Sequence, residues 1–437
     1  MLQWFYNVGF TLAFVLTWPW FALHMWRRGN FWRGFNERFS FYSTVLQSRL
    51  SHLKEPIWIH AVSVGEMMLA RVLVDELRLL RPDQGVVITC TTSTGRALGD
   101  RELEDDKTVV MYSPADLLPM ARRAFRAIKP CMILLIEQEL WPNQLWEAER
   151  RGVPVWIVNA RLSDRSWERF KKFRFYTTPF LSKISLIGLQ SERDRGRLAE
   201  AGFPVHSMFV TGSMKYDVAH LAQADQGVAE GLRKEMGWTE GTEVFLAGST
   251  HPGEEELVLE AYQELKRKRP ELKCLLAPRH AERASSLMAA AQGRGFTACL
   301  RTEARPEADV LILNTTGELR SLYELGTIIF IGKTLVAPKG KGGQNFLEAA
   351  RVGGAIVLGD KVENFTALVE DYLESSALVQ VKDVEGLKNE ALRLLEDRDL
   401  RCNYGSKARK LFEENLGAGA TMARMIDGYL GSKAATT

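Results

Sequence analysis

Along most of this 437-residue chain, short apolar runs alternate with segments whose apolar residues recur at helical spacing. Ile57–His60, Val86–Thr91, Cys131–Glu137 and Val155–Asn159 read as buried strands. Glu66–Leu80 and Pro114–Ile128 read as helices between them, and Ile184–Gln190 and Met208–Thr211 continue the strand series. Asp217–Gly241 is polar, rich in Ala, Gly and Gln, and carries no strand pattern, so it reads as a helix-containing linker. The alternation then restarts with Val244–Gly248, Leu272–Ala277, Val310–Asn314, Thr327–Gly332 and Ala355–Leu358. Strand–helix alternation predicts an α/β fold with parallel sheets covered by helices on both faces. Two such series predict two Rossmann-like domains facing a cleft, over residues 31–216 and 241–437, joined by a linker at 217–240. The last helix is expected to be able to pack back on the first domain. Open parallel sheets bind ligands beyond the carboxyl ends of their strands, so functional residues belong in the loops that follow strands.

The start of the chain breaks this pattern. Trp4 to Trp26 holds no Asp, Glu, Lys or Arg, and Trp4, Trp18, Trp20 and Trp26 lie toward its ends. About 20 apolar residues suffice to cross a bilayer, and tryptophans favour its interfaces. Arg27, Arg28, Arg33 and Arg38 follow, a basic flank of the kind that stays in the cytoplasm. Residues 1–30 are therefore expected to be a membrane anchor with both domains on the cytoplasmic side. A secretory signal would have a charged start and a small-residue cleavage site, and neither is present. Pro19 and the polar residues of the segment leave a shallow interfacial helix as the other reading.

Composition changes the picture little. A formal net charge of +3 gives no argument for nucleic acid. The five cysteines are scattered, with no CxxC pair, which points to neither a zinc site nor a disulfide framework. His60, His251 and His280 have no metal-ligand spacing, so no metal and no cofactor are expected.

Candidate chemistry sits where strands end. His60-Ala-Val-Ser-Val-Gly-Glu66 closes one strand and opens a helix. Glu66 there is either a helix cap or a carboxylate available as general base. Glu137 and Glu139 follow the next strand but one, then Trp141-Pro142-Asn143. Whether Glu66 and Glu137 share a site depends on strand order. Arg161 opens a basic, aromatic stretch with Arg165, Arg169, Lys171 and Lys172, suited to an anionic membrane or lipid, or simply a solvated basic helix. Lys215, in Thr211-Gly-Ser-Met-Lys-Tyr-Asp217, could meet a leaving phosphate as a point charge. In the second half, Gly248–Glu255, Ala277–His280, Thr316–Leu319 and Gly342–Glu348 each follow a strand or open a helix, and together they describe a nucleotide site. Gly332-Lys333-Thr334 has the ending of a Walker A loop without its first glycine. Asp397-Arg-Asp399 has the letters of a metal-binding DxD but lies on a polar helix end. Ala61-Val-Ser63-Val-Gly65 resembles a hydrolase nucleophile elbow, which leaves a membrane-tethered serine hydrolase using Ser63 as a rival, beside a non-catalytic nucleotide-binding membrane protein.

Taken in order, His60–Glu66, Glu137–Asn143, Asn159–Ser163, Thr211–Asp217, Ser249–Glu255, Pro278–Arg283, Gly317–Leu319 and Gly342–Glu348 resemble the motifs of the Kdo (3-deoxy-D-manno-octulosonic acid) transferases. The resemblance implies the two-domain glycosyltransferase architecture called GT-B. It implies metal-independent inverting transfer from CMP-Kdo to a lipid A precursor (lipid IVA) at the inner leaflet of the bacterial inner membrane, a step of lipopolysaccharide synthesis. It implies Glu66 as base, with Glu137 and Lys215 stabilising the transition state. Pro278, Arg279, Thr316, Gly317, Glu318, Asn345, Phe346, Leu347 and Glu348 would bind CMP, and the stretch from Arg161 would meet the acceptor phosphates or the membrane. The sequence departs from the family pattern at Gln138, Lys333, Thr334, Gln344 and Phe346, and Ala337–Lys341 reads as a basic insertion.

Overall fold

The computed structural model describes residues 2–27, 34–137, 140–221, 226–338 and 342–434. Gln138, Glu139, Arg28, Arg33 and residues 339–341 of the basic insertion lie outside them. The chain divides into two compact units: residues 1–218 with 417–437, and residues 219–416.

Unit one is built on a seven-stranded sheet, β1 (Ile57–His60), β2 (Val86–Cys90), β3 (Thr108–Tyr112), β4 (Met132–Ile136), β5 (Val155–Ala160), β6 (Leu186–Leu189) and β7 (Met208–Val210). Its order is β3-β2-β1-β4-β5-β6-β7, and every pairing is parallel. Strands β1 to β6 are buried along their whole length, as continuous apolar runs in a doubly covered sheet require. The order reverses between β1 and β4, which pair directly with His60 opposite Leu135. That reversal is the switch point where such sheets bind ligands.

Unit two repeats the plan with β8 (Val244–Thr250), β9 (Lys273–Pro278), β10 (Ala298–Leu300), β11 (Val310–Ile312), β12 (Ile328–Ile331), β13 (Ala355–Leu358) and β14 (Val379–Gln380). The order is β10-β11-β9-β8-β12-β13-β14, again parallel, with the switch between β8 and β12. Two parallel sheets in an α/β fold are what the alternation predicts. It misses β3, β10 and β14; β10 and β14 run for only three and two residues, while β3 is as long and as buried as β2. The final helix, Ala418–Ala434, returns to unit one and packs on helix Val64–Leu80. Asp217 holds its start by accepting from the Gly417 and Gly419 N–H groups at 2.7 and 2.8 Å.

The N-terminal segment is a single helix, Leu2–Arg27. Among the described residues, no helix is long and apolar enough to cross a membrane, so the spanning anchor expected from the sequence is not what is found. Its two faces differ. Tyr6, Phe10, Phe14 and Trp18 stack at four-residue intervals along one side and pack on Trp146, Phe39 and Phe35. Tyr6 donates to buried Asp116 at 2.7 Å and Asn7 exchanges hydrogen bonds with buried Asn143. The opposite side leaves Trp4, Phe5, Leu12, Val15, Leu16 and Trp20 exposed. Arg38, read as part of a basic flank, is spent inside the unit, donating to the Thr91 carbonyl and lying 4.1 Å over the Tyr112 ring.

Candidate active site

Glu66 stands in the first turn of helix Val64–Leu80, immediately after β1. Ser63 is the N-cap and accepts from the Glu66 N–H, while the Ser63 hydroxyl donates to Glu66 Oε1 at 2.9 Å and Val62 N–H donates to Oε2 at 2.7 Å. The two readings of Glu66 are thus compatible. The carboxylate caps its own helix start, and the same contacts hold it in place. Ser63 is in ordinary extended backbone, φ −112°, without the strain of a nucleophile elbow. Its hydroxyl is committed to Glu66, and among the described residues it has no histidine partner. The serine hydrolase reading fails on that geometry.

Glu137 follows β4, the strand paired to β1, so the switch point brings the loops of Glu66 and Glu137 to neighbouring strand ends. Its backbone is left-handed, φ 60°, and its N–H bonds the Val158 carbonyl at 2.9 Å. A glutamate held there is strained by roughly 1 kcal/mol or more, the kind of strain that clusters at functional sites. Lys215 Nζ and Arg161 Nε each lie 4.0 Å from Glu137 Oε1. Burial, with Arg161 adding, pushes the Lys215 ammonium down to about 8, against the opposing pull of Glu137 and Asp194. Lys215 is placed from behind by Asn159, also at positive φ, whose Oδ1 accepts the Met214 N–H at 2.9 Å. Gln190 ties the same turn, donating to the Asn159 carbonyl and accepting from Ser213.

Arg161 therefore belongs beside the acid, not with the basic run that follows it. Its Nε is buried and has no hydrogen-bond partner. Arg165, Arg169, Lys171 and Lys172 lie on the exposed helix Asp164–Lys172, where Lys171 pairs with Glu200 and sits over Trp167. The sequence signal that separates Arg161 is its place directly after β5, three residues before the helix.

In unit two, Pro278 ends β9 and exposed Arg279 follows it, its N–H on the Thr250 carbonyl. Thr316 and Gly317 are exposed in the turn after β11, where Gly317 has φ 94°. Glu318 accepts from Thr315 and pairs with Arg301. Asn345 caps Leu347 N–H, and Glu348, whose carboxyl burial pushes up, lies near Arg320 and Arg351. The Phe346 and Leu347 side chains are fully buried, Phe346 against Tyr372 and Phe365, which leaves their backbone for a ligand.

The Walker-like Gly332-Lys333-Thr334 also finds its explanation. The N–H groups of Lys333, Thr334, Leu335 and Val336 all point at the carboxylate of Glu254, which is completely buried and also accepts from His251 N–H. An internal carboxylate fills the nest that a phosphate would occupy in a true P-loop. Asp397 caps helix Arg398–Glu414 through Leu400 N–H, which disposes of the DxD letters as structural. Sequence reasoning passed over the nest and Gln190, and took Asn159 only as the start of the Asn159–Ser163 motif.

Comparison with known proteins agrees with this arrangement. Residues 33–218 match the family model of 3-deoxy-D-manno-octulosonic-acid transferase (kdotransferase). The 3-deoxy-D-manno-octulosonic acid transferase of Haemophilus influenzae is 30% identical over 398 residues, covering 90% of this chain and 91% of the relative. That of Bordetella pertussis is 30% identical over 437 residues, covering 97% and 99%. Among solved structures, the S. aureus MnaA–UDP co-structure (14% identity, TM-score 0.59, 86% of this chain and 97% of that one) shares the fold. So does a glycosyltransferase from Rickettsia africae (12%, TM-score 0.58, 86% and 98%). Identity of this level across nearly the whole length of both relatives places the chain in the 3-deoxy-D-manno-octulosonic acid transferase family, a family of glycosyltransferases.

Proposed function

We propose that the chain transfers Kdo from CMP-Kdo to the lipid A precursor lipid IVA, with inversion at the anomeric carbon. The observation that carries this reading is the pairing of β1 with β4, which puts Glu66 and Glu137 at adjacent strand ends with Lys215 4.0 Å from Glu137. A sugar hydroxyl of the acceptor attacks the anomeric carbon, its proton passes to Glu66, and the bond to the CMP phosphate breaks with the electron pair leaving on phosphate oxygen. Glu137 offsets positive charge growing on the sugar. Lys215 offsets negative charge on the leaving group. Unit two holds CMP through Arg279, the Thr316–Glu318 turn and the start of the helix at Leu347, and Glu348 accepts from ribose hydroxyls.

The test is transfer from CMP-Kdo, generated in situ, to tetra-acylated lipid A precursor, read by mass spectrometry. Wild type should add Kdo, and Glu66→Gln, which keeps an acceptor for the Val62 N–H, should be slower by roughly 10³-fold, within the range of general-base catalysis. CMP binding without transfer by wild type would favour a nucleotide-binding protein without catalysis.

Two further parts of the reading concern surroundings. We read the reaction as metal-independent, because Lys215 supplies a cation for the leaving group; activity lost in EDTA and restored by a divalent ion would refute that. We place the protein on the cytoplasmic face of the inner membrane as an interfacial binder, through the exposed apolar side of helix Leu2–Arg27 and the basic helix Asp164–Lys172. Flotation with anionic vesicles should weaken, without vanishing, when residues 1–27 are removed.

A further inference from the structure

Arg161 leaves the end of β5 on a fixed backbone with an unsatisfied side chain. Gln190 ties the residues before it, donating from its amide to the Asn159 carbonyl at 2.9 Å and from its backbone N–H to the Ala160 carbonyl at 3.2 Å. Leu162, after it, gives its N–H to buried Asp194, and its carbonyl accepts from Arg197 at 3.1 Å. The Arg161 side chain has no such partners. Its Nε is buried without an acceptor, and among the described residues the guanidinium makes no hydrogen bond. Glu137 Oε1 stands 4.0 Å from Nε, beyond hydrogen-bond reach. Asn159 Nδ2, two residues back, is also buried without an acceptor.

Buried donors are nearly always paired, and a guanidinium presents five of them in one plane. Donors left without partners at a strand end, beside the acid of the site, call for an acceptor that the chain itself does not supply. The Arg161 side chain keeps 29% of its surface exposed, so such an acceptor can reach it. Charge points the same way. Lys215 Nζ and Arg161 Nε both face the one Glu137 oxygen at 4.0 Å. Asp194 is taken up elsewhere, by the Ser191 hydroxyl at 2.7 Å and the Leu162 N–H. Two cations thus stand against one carboxylate.

We propose that Arg161 is the residue that selects an acidic sugar: it receives the carboxylate borne by the anomeric carbon of the donor, and so favours ulosonic acids over neutral sugars. This rests on the transferase reading and adds the substrate feature that the site recognises. In Kdo the carbon under attack itself carries a carboxylate. Glu137, which offsets positive charge at that carbon, would repel it. A guanidinium 4.0 Å from Glu137 counters that repulsion, and its planar fork matches the two oxygens of a carboxylate. Lys215, a point charge, keeps its assignment to the leaving phosphate.

The experiment uses the full chain and two non-transferable probes: a CMP-Kdo analogue with a methylene in place of the bridging oxygen, and the same compound with its carboxylate converted to a carboxamide. In calorimetric titration, wild type should bind the acid roughly 10- to 100-fold more tightly than the amide, the range of a charge-assisted hydrogen bond. Arg161→Gln should bind both alike, at the level wild type shows for the amide. Arg161→Lys keeps the charge without the fork and should retain part of the preference. CMP alone should bind all three proteins equally, because the nucleotide residues lie in unit two. In transfer assays Arg161→Gln should raise KM for CMP-Kdo and leave KM for the lipid acceptor unchanged. Equal binding of acid and amide by wild type, or a preference kept intact by Arg161→Gln, would overturn the proposal. So would a raised KM for the lipid acceptor alone, which would give the fork to an acceptor phosphate. Should Arg161→Gln not fold, Arg161→Lys carries the test, and an undiminished preference in it would overturn the proposal. Absence of transfer by wild type would remove the transferase reading, while the acid-over-amide preference would still report on Arg161.

Discussion

In unit one the strands at the switch point, β1 and β4, run out into the turns of Glu66 and Glu137; in unit two their counterparts, β8 and β12, carry Ser249 just before the end of β8 and Lys333 just after the end of β12. Both places carry residues forced to positive φ, Glu137 at 60° and Asn159 beside it, Ser249 at 56° and Lys333 at 61°. Yet the two are filled differently. In unit one a guanidinium and an ammonium each stand 4.0 Å from the Glu137 carboxylate, close enough to influence its charge and theirs. In unit two the backbone N–H groups that could have bound an anion are already bound, to Glu254. The same topology thus offers side-chain charge in one unit and an internally satisfied loop in the other. On the proposed reading, anion recognition in unit two falls to side chains such as Arg279 and to helix starts outside that loop.

The largest effect should come from emptying the nest. Glu254→Ala leaves five backbone N–H groups, those of His251 and Lys333 to Val336, without an acceptor in a buried place. The expected loss is on the order of 3–5 kcal/mol, or about 10 °C in the unfolding midpoint of unit two. CMP affinity should fall with it, because Lys333 also accepts the Gly343 N–H at the head of the 342–348 segment. Differential scanning calorimetry with and without CMP reads both. An unchanged midpoint would mean that the nest is not a supporting element.

This contrast also shows which parts of the molecule were legible from the sequence. The apolar strands β1, β2, β4 to β6, β8, β9, β12 and β13 announce themselves, because burial on both faces demands unbroken hydrophobic runs. Glu66, Glu137 and Lys215 were legible as strand-end residues. That the loops of Glu66 and Glu137 lie at neighbouring strand ends was not, since it depends on β1 pairing with β4 across more than seventy intervening residues. Glu254 was hidden for a different reason. Its partners are backbone N–H groups roughly eighty residues away, and backbone donors leave no mark in the residue types that supply them. Helix Leu2–Arg27 misled because freedom from charge was read as apolarity: the helix is not apolar enough to cross a membrane, and its stacked aromatic side is half-buried against the rest of unit one.

The next effect concerns the charge of Lys215. With its ammonium lowered to about 8, Lys215 is protonated below that pH and neutral above it. If it supports the leaving phosphate, kcat falls as pH rises through about 8, by up to tenfold for each further pH unit. Lys215→Arg should keep the charge and move this limb beyond the measurable range. Glu137→Gln removes one of the two carboxylates that favour the charged form, so it should lower kcat by about 10²-fold and shift the limb to lower pH. A pH–rate profile of the three proteins decides it. A limb that stays in place in Lys215→Arg would assign it to another group.

The smallest effect isolates backbone from side chain at the paired strained positions. Glycine adopts positive φ without the steric cost that other residues bear, so Glu137→Gly and Lys333→Gly should each raise stability slightly, by about 0.5–1 kcal/mol after the entropy lost on ordering glycine. In function they should part. Glu137→Gly removes the carboxylate beside Lys215 and Arg161 and should abolish most transfer while the protein becomes more stable. Lys333→Gly keeps the N–H that donates to Glu254 and the carbonyl that receives Gly343, so the loop and the affinity for CMP should survive. Thermal midpoints, transfer rates and CMP titration on the two variants complete the comparison. A Lys333→Gly protein with CMP binding lost would show that unit two, like unit one, works at its switch point through a side-chain charge. The retained nest would then be the frame that holds Lys333 toward the nucleotide.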